Sequence, residues 1–257
     1  MKTKRHLIGA ALVMTSACLW LKTLPARAEE KPAALGWKVS AYAGLNLARG
    51  NSETLLINTG VKADWKAVMD EIGLGAEASF GESRVERDDG TSGTEKNVQR
   101  ASAKADYRRL LSEREYAFIS AEGLSDGIAD IDYRLIIGPG LGRYFIKSPS
   151  QLLGVDLGVS YIAERQDGSR DDRAALRLAQ RYELKLSDVA KIWEAAEYLP
   201  SLEKFSDYLF NLEVGAEAAM TSRLSLRSTA RYLFNSRPAG DKEKYDLLLS
   251  TGIGFKI

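Results

Sequence analysis

From Gly36 to Ile257 apolar and polar side chains alternate with a period of two. Successive side chains on an extended chain point to opposite faces, so this pattern predicts strands with one apolar and one polar face. Near the C-terminus Leu247, Leu249, Thr251, Ile253, Phe255 and Ile257 share one parity, and Leu248, Ser250, Gly252, Gly254 and Lys256 share the other. Twelve such segments are predicted, at 36–49, 53–68, 70–83, 95–110, 115–125, 130–146, 151–165, 173–186, 191–200, 206–219, 223–236 and 244–257. The segment 191–200 is the least regular: Glu194 and Glu197 fall on opposite parities, and a bulge is expected there.

The connectors alternate as well. One set is short: Val68-Met69-Asp70, Leu111 to Arg114, Lys147 to Ser150, Leu186 to Val189 and Met220 to Ser222. The other set is longer and polar, as in Arg84 to Lys96, Gln166 to Asp172 and Arg237 to Glu243. Short turns at one end and polar loops at the other describe an all-β, transmembrane, antiparallel up-and-down barrel. Twelve strands, an even number, place both termini on the short-turn side, which in such barrels is periplasmic. A soluble antiparallel sandwich or lipocalin-like barrel is the competing reading, but its strands would be near five or six residues long. Here 222 residues divide among twelve segments, about 18 each with a connector, which suits tilted spanning strands. A sandwich would also bury one face as a core. One face here is too charged for that.

Aromatic residues follow the same logic. Trp37, Trp65, Tyr107, Tyr133, Tyr161, Tyr182, Tyr208, Tyr232, Phe234 and Phe255 fall mostly on the apolar parity, often near segment ends. Amphipathic rings gather where hydrocarbon meets headgroups, so they predict interfacial girdles.

A charge facing lipid at mid-membrane costs about 2–4 kcal/mol, so the charged parity is expected to face inward. It carries thirteen basic and eleven acidic residues. Candidate lumen-lining residues are Lys62, Asp64, Arg100, Lys104, Asp106, Arg134, Asp156, Arg177, Arg181, Glu183, Glu213, Glu217, Arg227 and Arg231. Two arrangements fit this balance: a water-filled pore with mixed walls, or a barrel closed by cross-strand ion pairs. Arg177, Arg181, Arg227 and Arg231 lie on nearby strands as a possible basic ladder for anions, unless Glu183, Glu213 and Glu217 neutralise it.

The first 28 residues carry a different signal. Lys2, Lys4, Arg5 and His6 precede an apolar stretch from Leu7 to Leu21, and Ala26-Arg27-Ala28 forms an A-x-A cleavage site. This order predicts a secretory signal peptide at 1–28, a short polar segment at 29–35 and a barrel at 36–257. After residue 21 no apolar run approaches the ~20 residues of a membrane helix. Removing 1–28 takes away five basic residues, leaving 31 basic against 35 acidic, a net charge of −4. It also removes His6 and Cys18, the only His and the only Cys. Catalysis that needs an imidazole to carry a nucleophile's proton is then excluded, as are His or Cys zinc sites. No catalytic, cofactor-binding or metal-binding residues are expected, and the near-neutral charge gives no case for nucleic acid.

Other motifs carry little. Gly138-Pro139-Gly140-Leu141-Gly142 lacks the dinucleotide-binding spacing, and Asp167 to Asp172 lacks that of a calcium loop. Gly50-Asn51-Ser52 is a tight hairpin signal.

Taken in order, these residues resemble the YdiY-like outer-membrane proteins, a family of unknown function often labelled salt-induced outer membrane protein. The matching stretches are Gly36-Trp37-Lys38, Gly50 to Thr54, Leu111 to Arg114, Asp132 to Leu135, Gly138 to Gly142, Leu186 to Asp188, Tyr198 to Leu202, Asn235 to Pro238 and Thr251 to Phe255. The resemblance covers the expected mature chain and implies an outer-membrane barrel of a Gram-negative-type envelope, with no established substrate. Ser250, Gly252, Phe255 and Ile257 also resemble the C-terminal signal read by the barrel-assembly machinery, although the chain ends on Ile257 rather than an aromatic residue. The expected partners are outer-membrane lipid, lipopolysaccharide and that machinery.

Overall fold

A computed structural model describes residues 35–48, 54–86 and 92–257. The expected signal peptide, the polar segment up to residue 34 and the hairpin signal Gly50-Asn51-Ser52 lie outside the described residues. Among the described residues twelve strands form a closed barrel: β1 (Gly36–Ala48), β2 (Thr54–Lys66), β3 (Asp70–Glu86), β4 (Ser92–Leu110), β5 (Glu115–Asp126), β6 (Ile131–Lys147), β7 (Gln151–Gln166), β8 (Ser169–Lys185), β9 (Ala190–Pro200), β10 (Tyr208–Ala219), β11 (Leu224–Asn235) and β12 (Tyr245–Lys256). Each strand pairs antiparallel with its chain neighbours, and β1 pairs with β12 to close the ring. Closure leaves every edge partnered, which is what allows a sheet to stand in hydrocarbon.

The outer face is the apolar parity. Val61, Leu74, Leu141, Leu157, Val159, Leu247 and Leu249 are exposed on it. Its aromatics cluster at the two ends. At the loop end Tyr198, Tyr208 and Phe234 form a chain of rings with centroids 5.2 Å apart, and Tyr232 stacks on Tyr245 at 5.9 Å. At the turn end Trp37 and Trp65 stand 6.5 Å apart. A 12-residue strand such as β10, tilted about 40°, rises about 25–30 Å. That matches an apolar band of membrane thickness.

Hydroxyl side chains build most of the short turns. Ser112 Oγ accepts from the amides of Arg114 and Glu115 (3.3 and 3.0 Å). Ser187 Oγ does so from Val189 and Ala190 (3.3 and 3.1 Å), and Thr221 Oγ1 from Arg223 and Leu224 (3.2 and 3.0 Å). Each side chain satisfies two amides that the tight turn leaves without strand partners.

Three sequence expectations change. The polar stretch Arg84 to Lys96 is largely strand, because β3 runs to Glu86 and β4 starts at Ser92, with Arg84 opposite Thr94. Gln166 to Asp172 is a two-residue hairpin: Gln166 pairs with Ser169, and Asp167 and Gly168 both have left-handed backbones (φ 51° and 68°). Asp-Gly is the pair that such a turn favours. The bulge expected in 191–200 is absent, since β9 runs in unbroken register along β10 from Ala190 opposite Ala218 to Pro200 opposite Tyr208. Opposite parities simply send Glu197 inward and Glu194 outward, where Gln180 Nε2 donates to Glu194 Oε1 at 3.0 Å. Register shifts fall instead in β3/β4, β5/β6 and β6/β7.

Candidate functional site: the charged interior

The inner parity carries the charged side chains, and the register joins them into ion pairs. Lys62 Nζ lies 3.0 Å from Asp64, Arg100 3.0 Å from Asp126 and Lys104 Nζ 3.9 Å from Glu122. Asp106 meets Arg108 at 3.5 Å, and Arg181 meets Glu183 at 3.4 Å. Glu217 lies 3.8 Å from Lys191. Arg134 is buried against Glu164, which also meets Arg173 at 3.3 Å. Arg177 Nε donates to Glu197 at 2.7 Å, while its Nη1 stands 3.5 Å from Asp156 without hydrogen-bond geometry. Glu213 accepts from Arg231 at 2.7 Å and lies 4.0 Å from Arg227.

The basic ladder of Arg177, Arg181, Arg227 and Arg231 does not stand free. Each of the four has a carboxylate partner. Two of the expected neutralisers, Glu183 and Glu213, serve arginines of the ladder, but Glu217 serves Lys191. Sequence reasoning missed Glu197, Arg173 and Lys191, because the irregular parity of 191–200 left the inner face of that strand undecided and Arg173 stood at the predicted start of its segment, next to a supposed loop.

A second layer was also missed: the inward-facing aromatics. Tyr42, Tyr116, Phe118, Tyr144 and Trp193 share the charged parity. Several of them cover a glycine on the neighbouring strand. A Cβ built on Gly60 would run into the ring of Tyr42, one on Gly142 into Tyr116, one on Gly140 into Phe118 and one on Gly215 into Trp193. With no Cβ beneath, the ring lies flat on the wall instead of standing into the interior. Arginines then stack on the rings. The guanidinium of Arg108 lies 5.6 Å from the Tyr116 centroid and that of Arg177 5.0 Å from Phe118. Arg227 lies 5.2 Å from Tyr42 and 4.9 Å from Trp193. These are cation–π distances. Carboxylates anchor the rings: Tyr116 Oη donates to Asp156 at 2.5 Å, and Trp193 Nε1 to Glu213 at 2.7 Å. Gly, ring and Arg in layers keep bulky side chains against the wall.

Some contacts cross the interior between strands that are not neighbours, as where Tyr144 Oη on β6 donates to Glu71 on β3 at 3.3 Å; the one at the seam is an ion pair. Arg231 on β11 reaches Glu77 on β3, donating from Nη2 to Oε1 at 2.8 Å and also from Nη1. Between those strands lie β12, β1 and β2, so this chord crosses the closing seam from inside. The seam needs the support: β1 and β12 share four register pairs, against thirteen between β1 and β2. The seam is also where Gly252 sits. A Cβ there would meet the backbone of Ala43 and Gly44, so close backbone approach requires glycine. Phe255 and Ile257, the rest of the expected assembly signal, are exposed on the outside.

Part of the interior is packed. Ile162, Ala175, Leu199 and Leu209 form a buried cluster with Ile136, and Leu110, Tyr116, Phe118 and Tyr144 form another with Leu152. Around Lys62, Lys66, Lys104 and Arg181 it is not packed, and these side chains are exposed within the barrel. Among the described residues no group of three or more His, Cys, Asp or Glu side chains is placed to hold a metal ion.

Fold and interior together define a class: among the described residues, a closed, twelve-stranded antiparallel barrel with an apolar exterior and a charged, partly packed inside. Within that class the chain belongs to the family described as "Protein of unknown function, DUF481", which matches residues 41–257. The NanC porin has a similar structure, with a TM-score of 0.51 and 10% identity over 86% of this chain and 100% of that one. An outer-membrane channel from Pseudomonas putida F1 gives 0.49 and 11% over 92% and 100%. The translocator domain of autotransporter NalP from Neisseria meningitidis gives 0.45 and 13% over 98% and 96%. No curated protein matches the chain.

Proposed function

We propose that the protein is an outer-membrane channel: a signal-exported barrel through which small polar or ionic solutes pass passively. The observation that carries this reading is the exposure of Lys62, Lys66, Lys104 and Arg181 inside the barrel. A packed interior would bury such groups together with their carboxylate partners, whereas a water-filled passage solvates them. The flat aromatic layer supports the same reading, because it holds the largest inner side chains out of the passage. The likeness to a porin supplies the fold and says nothing of the solute.

In this reading residues 1–28 are removed after Ala28, both termini face the periplasm, and the aromatic girdles sit at the two interfaces of the lipid and lipopolysaccharide membrane. The barrel-assembly machinery reads the C-terminal strand with Gly252, Phe255 and Ile257. The YdiY-like resemblance adds a response to salt or osmotic stress as the setting.

The second reading is a closed, non-conducting barrel of the stressed envelope. The chord between Arg231 and Glu77 favours it, since it joins two walls across the interior. Single-channel recording of the refolded mature protein in a planar bilayer separates the two. Steady current steps support the channel. Silence from protein shown by circular dichroism to be folded supports the closed barrel.

A further inference from the structure

The inner charges balance in number but not in exposure. In the water-facing ion pairs the cation is the more exposed partner. Lys62, Lys66, Lys104 and Arg181 expose 51%, 44%, 47% and 43% of their side chains, against 37%, 14%, 27% and 25% for Asp64, Glu71, Glu122 and Glu183. Lys191 repeats the asymmetry against Glu217, at 36% and 17%. The physical cause is stem length. A carboxylate on a short stem stays at the wall, while an ammonium or guanidinium on a long stem extends along or away from it toward water. On a flat surface this difference means little. Inside a tube it sets which sign an ion near the axis meets first.

The exposed cations also stand around the ring. Strands β2 and β8 lie six places apart among twelve, on opposite walls, with β4 between them on one side. Lys62 is four residues from the turn end of β2, Arg181 four from that of β8 and Lys104 six from that of β4. All three therefore stand within six residues of the turn end. Arg134, Arg173 and Arg177 do not join them, being buried in the packed wall.

We infer that the interior passes small anions in preference to cations, and that Lys62, Lys104 and Arg181 set this sign. Halides and small carboxylates are the class of solute. The inference rests on the channel reading, and the test keeps the two apart. The refolded protein is recorded in a planar bilayer with a potassium chloride gradient. Current steps with a reversal potential on the chloride side are expected, at a permeability ratio of about three- to fivefold, the order set by one unit charge a few ångströms away in water. Steps with no preference, or a potassium preference, overturn the inference and leave the channel standing. Silence from a folded barrel overturns both. In the triple variant Lys62→Gln, Lys104→Gln, Arg181→Gln the ratio should fall to about one or below, whereas Lys204→Gln, in the loop 201–207, should keep the original ratio. A folded triple variant that retains the original ratio overturns the assignment to these residues. Altered gel migration on boiling checks that each variant has formed its barrel.

Discussion

At the scale of single residues, the interior is organised by what glycine omits. Trp193 lies over Gly215, and the atoms nearest to a Cβ built at Gly215 all belong to that ring. Gly215→Ala should therefore destabilise the barrel by about 1–3 kcal/mol, the usual cost of overpacking, read as a lower urea midpoint in detergent. The same substitution in a Trp193→Ala background should cost much less, and equal penalties in both backgrounds would refute the contact. The turn hydroxyls act in the opposite sense, by supplying partners. Ser187→Ala strands the amides of Val189 and Ala190 in an exposed turn, so a smaller loss of about 0.5–1.5 kcal/mol is expected by the same measurement. Both features were half-legible. Ser112, Ser187 and Thr221 recur at one place in their turns. The inner aromatics share parity with charges, but nothing local says which glycine a ring will cover, because ring and glycine are on different strands.

At the scale of elements, the weak join is β1 with β12. Its few register pairs are reinforced by the chord from Arg231 to Glu77. Removing Glu77 leaves Arg231 with Glu213 as its carboxylate partner and cuts the link to β3. For a pair about a quarter exposed on each side, a loss of about 1–3 kcal/mol is expected, below the figure for a fully buried pair. Glu77→Gln should speed amide hydrogen exchange in β1 and β12 ahead of β5 to β8. Uniform acceleration around the barrel, or none, would mean that the chord does not hold the seam. Strand existence was readable in all twelve cases from the period of two. Strand ends were less so. The polarity of Arg84 to Lys96 suggested a loop, yet the backbone at 84–86 and 92–96 stays paired, beyond the apolar band, where strand faces no longer need to be apolar. The Asp167-Gly168 hairpin was visible as a turn pair and was overridden by the charge around it.

At the scale of the whole molecule, closure with an apolar outside predicts a heat-modifiable protein in the outer-membrane fraction. Unboiled samples should migrate faster than boiled ones on a denaturing gel, because the closed barrel resists unfolding by detergent. Identical migration, together with recovery in the soluble periplasm, would defeat the membrane reading. What the sequence determined alone is the fold class, the strand count and which parity is charged, since side-chain alternation is a local property of extended chain and needs no knowledge of partners. It also predicted a set of charges for that parity, without Glu197, Arg173 and Lys191. The tertiary structure alone decided how that set is divided: which carboxylate meets which cation, which wall is packed, and which cations reach water. Arg177 and Arg181 are four residues apart on one face of β8, yet one is buried against Glu197 and the other is exposed. Their difference comes from neighbours on β5, β7 and β9 and from the curvature of the closed sheet. Curvature and cross-barrel distance are fixed only when β1 meets β12, and no stretch of sequence carries them.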